Sequence, residues 1–349
     1  MIVELSAMYR IGIIGCGKIA QVRHIPEYLA SGRATLAAFY DLNGERAGEL
    51  AAKYGALSCA SIEELLSCPL DAVSICTANH THADYAVAAL QKGLDVLCEK
   101  PMATSLEDCI RMVEAARKSG RILMIGQNQR LTKTHMKAHE LIASGSLGRI
   151  ISFQTSFAHG GPETWSVDPG KNTWFFDRSK AVMGAMADLG IHKTDLIDYL
   201  LDDSVKAVTA TVTTLDKRGA DGSLIAVDDN AMCIYEMAGG AVGTMRASWT
   251  CYGHEDNSTV IQGTEGVMKL YSDPDYPMVI ERKDGTRELY ELDAIQTNDN
   301  QTSSGVIDCF LDSLDRRSCP ISAESVLPAM KAVFAALESS AKGSRITID

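Results

Sequence analysis

Arg10-Ile11-Gly12-Ile13-Ile14-Gly15-Cys16-Gly17-Lys18-Ile19-Ala20 reads as a compact apolar strand, a tight glycine turn and the start of a helix. The spacing Gly-x-Gly-x-x-Ala fits the dinucleotide fingerprint. Each small residue has its own duty there. Gly15 allows the sharp turn, Gly17 lets the backbone approach a pyrophosphate, and Ala20 lets the helix pack close to the strand. The free N–H groups of the helix start then face the phosphates. Glycine turns between strand and helix are common, so the pattern downstream of this one decides the fold. Pro26 interrupts the next helix and predicts a kink or two short pieces.

Beyond the turn, strand and helix patterns alternate. Thr35–Tyr40 is the second strand and ends at Asp41, 24 residues beyond Gly17. An acid there suits a ribose 2′-hydroxyl and repels the extra phosphate of NADP, which favours NAD. The same Asp could instead cap the helix that begins near Gly44. Glu45–Tyr54, Ile62–Leu66, His82–Lys92 and Leu106–Ser119 read as helices, with Gly55, Gly93 and Gly120 as stops and Ser61 as a cap. Asp71–Cys76, Val96–Cys98 and Ile122–Ile125 read as buried strands. This alternation predicts a doubly wound parallel sheet. The strand Val96–Cys98 ends abruptly in Glu99-Lys100-Pro101. In such sheets ligands sit beyond the carboxyl ends of the strands, so Lys100 would project into a site. Thr77–His82 and Gly126–Arg130 are polar strand ends that would line the same crevice.

After Gly148 the helical alternation fades. Ile150–Phe157, Val205–Leu215, Asp229–Met237, Ala241–Trp249, Val260–Gly263, Val267–Leu270, Met278–Glu281 and Arg287–Tyr290 read as strands, with Ala238-Gly239-Gly240 as a hairpin turn. They predict a large, mostly antiparallel open sheet with helices on one face, Ile191–Leu201 among them. The uncovered face predicts a homodimer or homotetramer formed through this sheet. Val306–Arg316 and Val326–Lys342 are closing helices that could pack back on the first domain. The implied domains are 1–128, dinucleotide-binding, and 129–349, substrate-binding and oligomerising.

Two features of the second half carry possible chemistry. Asp188 and His192 lie four apart on a helical pattern, where a carboxylate can orient an imidazole as a general base. A packed histidine with Asp188 as a helix cap reads equally well. The stretch His159–Asp177 sets Trp165, Trp174, Phe175 and Phe176 among Gly, Pro, Asn and Asp, which suits a sugar ring or a subunit contact. Arg130 and Lys171 could touch a hydroxyl-rich substrate or be ordinary charges.

Bulk properties narrow the class. The chain has 349 residues, a formal charge of −12 and ten scattered cysteines without a Cys-x-x-Cys pair. That argues against nucleic acid, an anionic membrane surface, a disulfide framework or a thiolate zinc site, and fits a reducing cytoplasm. Met1–Met8 has no basic leader, and no apolar run would span a bilayer. His80, His82, His159 and His254 lack metal-ligand spacing, so no metal is expected. Cys16 and Cys98 are expected to be small apolar fillers.

With Gly15-Cys16-Gly17, Glu99-Lys100-Pro101 and Asp188…His192 in this order, the chain resembles the Gfo/Idh/MocA family of NAD(P)-dependent oxidoreductases. The similarity extends to Thr77–His82, to Ile142–Ile150 and to Glu338–Ile346. The resemblance implies a Rossmann domain followed by an α/β domain on a large open sheet. It implies NAD as cofactor and a sugar, inositol-like polyol or glycoside as substrate. Lys100, Asp188 and His192 take the family's catalytic positions. His192 would remove the proton from a secondary hydroxyl as hydride leaves the same carbon, Lys100 would hydrogen-bond the oxygen, and Asp188 would orient His192. Gly15, Ile19, Asp41, Thr77, Asn79, His82, Glu99 and Asn128 match cofactor-contact positions, with Gly17, Lys18 and Lys100 in the same set. Arg130, His159, Trp165 and Trp174 join Asp188 and His192 as substrate candidates. The family's run of three glycines before its Asp is here Val182, Met183 and Gly184, and Ala78 replaces a common proline. A hydrolase or lyase that oxidises its sugar transiently, or a non-catalytic NAD-binding sensor, would use the same features.

Overall fold

The computed structural model describes residues 8–295 and 303–348. The reading of the first residues as free of a leader therefore lies, Met8 apart, outside the described residues. The chain divides into two compact units, Met1–Gly126 with Gln301–Ser325, and Gln127–Asn300 with Val326–Asp349. The stretch after residue 300 thus returns to the first unit before the chain re-enters the second.

The first unit is built on a six-stranded parallel sheet in the order β3-β2-β1-β4-β5-β6. The strands are β1 Tyr9–Ile14, β2 Ala34–Tyr40, β3 Leu57–Ser58, β4 Ala72–Ile75, β5 Asp95–Cys98 and β6 Leu123–Ile125. Ile11–Ile14 and every residue of β4, β5 and β6 are buried, as expected of strands covered on both faces. Five of the six strands are the apolar runs named above. The sixth, β3, is two exposed residues that pair with Ala38 and Phe39. The order reverses between β1 and β4, which makes the ends of these two strands the crevice where doubly wound sheets hold ligands.

The helix after β1 is divided as Pro26 predicts. Ala20–His24 is a π-turn, in which Ile25 N–H bonds to the Ala20 carbonyl, and α1 (Ile25–Ser31) follows. The wider turn accommodates a ring that has no N–H and would crowd the preceding carbonyl. α2 (Gly44–Tyr54), α3 (Ile62–Leu65), α4 (His82–Gln91) and α5 (Leu106–Ser119) match their predicted spans within two residues. Ser61 caps α3 and Ser105 caps α5. The helix Val306–Arg316 is tied into this unit by polar contacts. Arg33 bonds Asp312 at 2.8 Å and Asp315 at 2.7 Å, while Arg317 bonds Asp95 at 2.8 Å.

The second unit holds a nine-stranded sheet in the order β14-β13-β12-β11-β7-β10-β9-β8-β15. Its strands are β7 Ile150–Ala158, β8 Val205–Thr213, β9 Asn230–Met237, β10 Val242–Ser248, β11 Thr259–Gly263, β12 Gly266–Leu270, β13 Met278–Arg282, β14 Arg287–Tyr290 and β15 Ile346–Thr347. All pairs are antiparallel except β7 with β10. Eight strands were legible as runs, and the ninth is the two-residue edge strand β15. α6 (Lys133–Ala143) and α7 (Arg178–Ala181) precede α8 (Ile191–Leu201). α8 is almost wholly buried and reaches β9 through Thr194 Oγ1, 2.9 Å from the Tyr235 hydroxyl. Its approach to β10 is close at Gly190, where a Cβ would lie 3.3 Å from Met245 Cε. Alternate residues of β9 and β10 point away from this layer and leave Met232, Ile234 and Val242 exposed.

Candidate active site

In the first unit the glycine turn is set by sterics. Gly15 has φ +92°, and a Cβ there would lie 2.7 Å from the carbonyl of Cys76 at the end of β4. Its N–H donates to the Tyr40 carbonyl at 2.8 Å. Gly17 differs: a Cβ there would meet no atom within 4 Å. Packing does not require glycine at 17, whereas close approach of a dinucleotide phosphate would. Lys18 and Ile19 are half-buried beside it and Ala20 is fully buried. The Cys16 thiol is pushed up to about 12 by burial and by the charge of Asp41, so it stays protonated and inert.

Asp41 ties the turns after β1 and β2 together. Its carboxylate accepts the Cys16 N–H at 2.6 Å and the Asn43 N–H at 2.8 Å. The α2 cap is not Asp41 but Asn43, whose side chain accepts the Arg46 N–H at 3.1 Å. Asp41 is thereby held where the glycine turn meets the end of β2, the place a ribose hydroxyl would occupy in this fold. These residues fit a dinucleotide.

After β4, Thr77 accepts a hydrogen bond from Thr81 Oγ1 at 2.7 Å, and buried Asn79 opens a single 3₁₀ turn. His82 is fully buried. Its Nδ1 lies 2.8 Å from the Pro101 carbonyl and its Nε2 3.1 Å from that of Thr77. Burial depresses its pKa despite these two carbonyls. His82 therefore staples the β4 end to the β5 end, one ring nitrogen donating to a carbonyl and the other facing the second.

At the β5 tip Glu99 points inward. Its Oε1 lies 2.9 Å from His24 Nε2 on the π-turn, and its Oε2 accepts the Lys100 N–H at 3.2 Å. A Cβ on Gly126 would lie 3.2 Å from the carboxylate, so Gly126 leaves just enough room for it. Burial pushes Glu99 up, but the His24 bond and the charges of His24, Arg23 and Lys100 outweigh it and hold its pKa at about 2. Half-buried Lys100 precedes Pro101 through a cis peptide. Burial raises the Cys98 thiol well above its usual range.

In the second unit Asn128 opens the 3₁₀ turn Asn128–Leu131. Arg130, a substrate candidate by sequence, is committed elsewhere. It forks onto Asp195 of α8 with bonds of 2.7 and 2.5 Å, both side chains buried, and its guanidinium lies 5.7 Å from the Tyr199 ring centroid. The Gln127 amide, in the polar stretch Gly126–Arg130, is buried with no partner at either end among the described residues.

Asp188 and His192 do not share a plain α-helical turn. Met186–Gly190 is a π-turn leading into α8, with Ile191 N–H bonded to the Met186 carbonyl. The four-residue spacing expected of them is thus widened locally. Asp188 accepts the Trp249 indole N–H at 3.0 Å. His192 is buried, and its ring lies 5.8 Å from that of Phe157, which in turn lies 5.8 Å from His159. His159 Nδ1 accepts the Gly161 N–H at 2.9 Å. Trp174 stacks on Phe175 at 3.9 Å, and Phe175 and Phe176 pack on Trp249 at 6.4 and 6.0 Å. The aromatic stretch therefore braces the tryptophan that holds Asp188. Trp165 is half-buried farther along it and Lys171 is exposed.

The π-turn has an anchor that sequence reasoning missed. The Asp228 carboxylate accepts the N–H groups of Gly184 and Met186, each at 2.7 Å, and its carbonyl accepts that of Ala185 at 2.8 Å. Burial raises the Asp228 pKa, with the Gly184 and Met186 bonds opposing. A Cβ at 184 would lie 1.8 Å from the Asp228 carbonyl oxygen, so glycine is obligatory there. Val182 takes φ +65°, a conformation that suits glycine.

Comparison with known proteins matches this geometry. Residues 9–127 match the model of an oxidoreductase family with an NAD-binding Rossmann fold, and residues 135–269 match the GFO/IDH/MocA C-terminal domain. A levoglucosan dehydrogenase of Pseudarthrobacter phenanthrenivorans is 32% identical over 65% of this chain and 62% of its own length. A 1,5-anhydro-D-fructose reductase of Ensifer adhaerens is 31% identical over 74% of each chain. A solved levoglucosan dehydrogenase in complex with NADH superposes with a TM-score of 0.85 at 25% identity, covering 98% of this chain and 99% of that one. The chain belongs to the Gfo/Idh/MocA family of NAD-binding oxidoreductases.

Proposed function

We propose that this protein is an NAD-dependent dehydrogenase acting on a secondary hydroxyl of a sugar, polyol or glycoside, or on the corresponding ketone. The observation that carries the reading is the bare backbone at Gly17 beside a carboxylate, Asp41, locked to the same turn. Gly15, Gly17, Lys18 and Ile19 would hold the pyrophosphate side and Asp41 the ribose, with Thr77 and Asn79 at the neighbouring strand end. NAD, when bound, accepts the hydride. His192 takes the hydroxyl proton, Asp188 keeps the imidazole oriented, and Lys100 donates a hydrogen bond to the substrate oxygen as its charge develops. The aromatic side chains about Phe157 and Trp174 suit the apolar face of a sugar ring.

The relatives named above support the substrate class. Asp41 supports NAD over NADP, because a carboxylate repels a 2′-phosphate. Met232, Ile234 and Val242 on the open sheet face support a homodimer or homotetramer. Ten cysteines, none in a disulfide, support a reducing cytoplasm. Among the described residues no helix is long and apolar enough to cross a membrane. The test is NADH formation over a panel of sugars, inositols and glycosides, repeated with Lys100→Ala and His192→Ala. Stoichiometric NADH with the intact protein and losses of about a hundredfold or more in both variants are expected. Product without net NADH, or near-normal turnover in the variants, would overturn the assignment.

A further inference from the structure

Lys193 follows His192 directly and is fully buried. A methionine of similar length would fill that space without stripping water from an ammonium, so packing does not explain the charge. Its Nζ donates to the Asn257 carbonyl at 2.9 Å. The Asn257 side-chain oxygen accepts from Gln129 Nε2 at 3.1 Å, and the Gln129 carbonyl lies 2.7 Å from His135 Nδ1. The next residue of that turn, Arg130, forks onto Asp195, two positions beyond Lys193 on α8. Arg130 is thus bolted directly to the helix that carries His192, and Gln129 is linked to it through Asn257.

We propose that Lys193 is a positioning residue for His192: with Asn257 and Gln129 it fixes the first turn of α8 against the Asn128–Leu131 turn. The inference rests on the dehydrogenase reading above. Asp256 and Glu255, in the segment before β11, attract the ammonium, while His135 of α6 faces it as a second base. Burial pushes Lys193 down to about 7 against the pull of Asp256 and Glu255. Burial and the Lys193 charge push His135 down to about 3. The ammonium is therefore charged below about pH 7, where His135 does not compete for its proton.

The experiment uses the full-length protein with NAD and a sugar found to be turned over. If the intact protein turns over none of the panel, the dehydrogenase reading fails, and NAD titration with circular dichroism still reports whether the variants fold. Lys193→Met keeps the volume and removes the charge; Gln129→Leu breaks the relay and leaves the charge. For Lys193→Met, kcat should fall about tenfold while KM and NAD affinity stay within about twofold. For Gln129→Leu, kcat should fall with KM likewise unchanged. A folded Lys193→Met with unchanged kcat, or with kcat and KM changed together, overturns the proposal. Should Lys193→Met not fold, an unchanged kcat in Gln129→Leu overturns it.

Discussion

Replacing Glu99 by glutamine removes one charge from the tip of β5 and little else. The amide can still accept the Lys100 N–H and still face His24 Nε2, so the shape of the tip survives. The magnitude follows from the depression of Glu99 from its ordinary 4.5 to about 2, caused by the His24 bond and the charges of His24, Arg23 and Lys100 against the opposing effect of burial. At about 1.4 kcal/mol per unit, the native state gains about 3 kcal/mol from holding this carboxylate ionised. The sign is that of a depressed acid. The contribution is complete above pH 4.5 and disappears as pH falls through 4.5 toward 2. Urea unfolding of the intact protein and Glu99→Gln, followed by far-ultraviolet circular dichroism, measures the gap. It should be about 3 kcal/mol at neutral pH, and it should narrow by about 1.4 kcal/mol for each pH unit below 4.5. A gap under about 1 kcal/mol at neutral pH, or one that persists undiminished in acid, would refute the claim that Glu99 is a stabilised buried anion.

Other substitutions separate packing from ligand contact. Gly17→Ala should leave the thermal midpoint unchanged, since no protein atom lies within 4 Å of the added methyl, yet weaken NAD binding about tenfold or more by calorimetry. Gly15→Ala, at φ +92° and 2.7 Å from Cys76, should lower both stability, by about 1–3 kcal/mol, and NAD affinity. Val182→Gly should raise stability by about 0.5–1 kcal/mol in urea unfolding, because relief of a positive φ outweighs the added chain entropy. Trp249→Phe keeps the ring that Phe175 and Phe176 pack on and removes the bond to Asp188; kcat should fall about tenfold with KM changed little, and an unchanged kcat would dissociate Trp249 from the chemistry.

The first unit was legible because its signals are local. Its main strands are apolar runs covered on both faces, and its helices up to Ser119 are closed by a glycine or opened by a serine within a few residues of the pattern they bound. Leu57–Ser58 escaped because two exposed residues have no periodicity, and only their pairing with Ala38 and Phe39 makes them a strand. The π-turns escaped for a related reason. A hydrophobic period cannot register one residue inserted into a turn, although Pro26 did give away the break in the first case. β15 is also two residues long, and its partner β8 lies far back in the sequence.

The chemistry of the second unit was less legible because the side chains that decide it are satisfied from a distance. Asp188 meets Trp249, 61 positions later, and the Asp228 anchor reaches back 44 positions to Gly184. Arg130 read as a substrate contact or an ordinary charge only because Asp195 lies 65 positions away. The same facts explain why α8 tolerates His192, Lys193, Thr194 and Asp195 in a row with all four buried. A buried polar group is costly unless it is bonded, and Lys193, Thr194 and Asp195 each bond a group from a different element: the segment before β11, strand β9 and the turn after β6. Three directional contacts from three elements leave a helix little freedom to rotate or slide. The helix that carries His192 is therefore fixed by polar bonds and not by apolar packing alone, which is the condition His192 would need to hold its aim in the proposed role of general base.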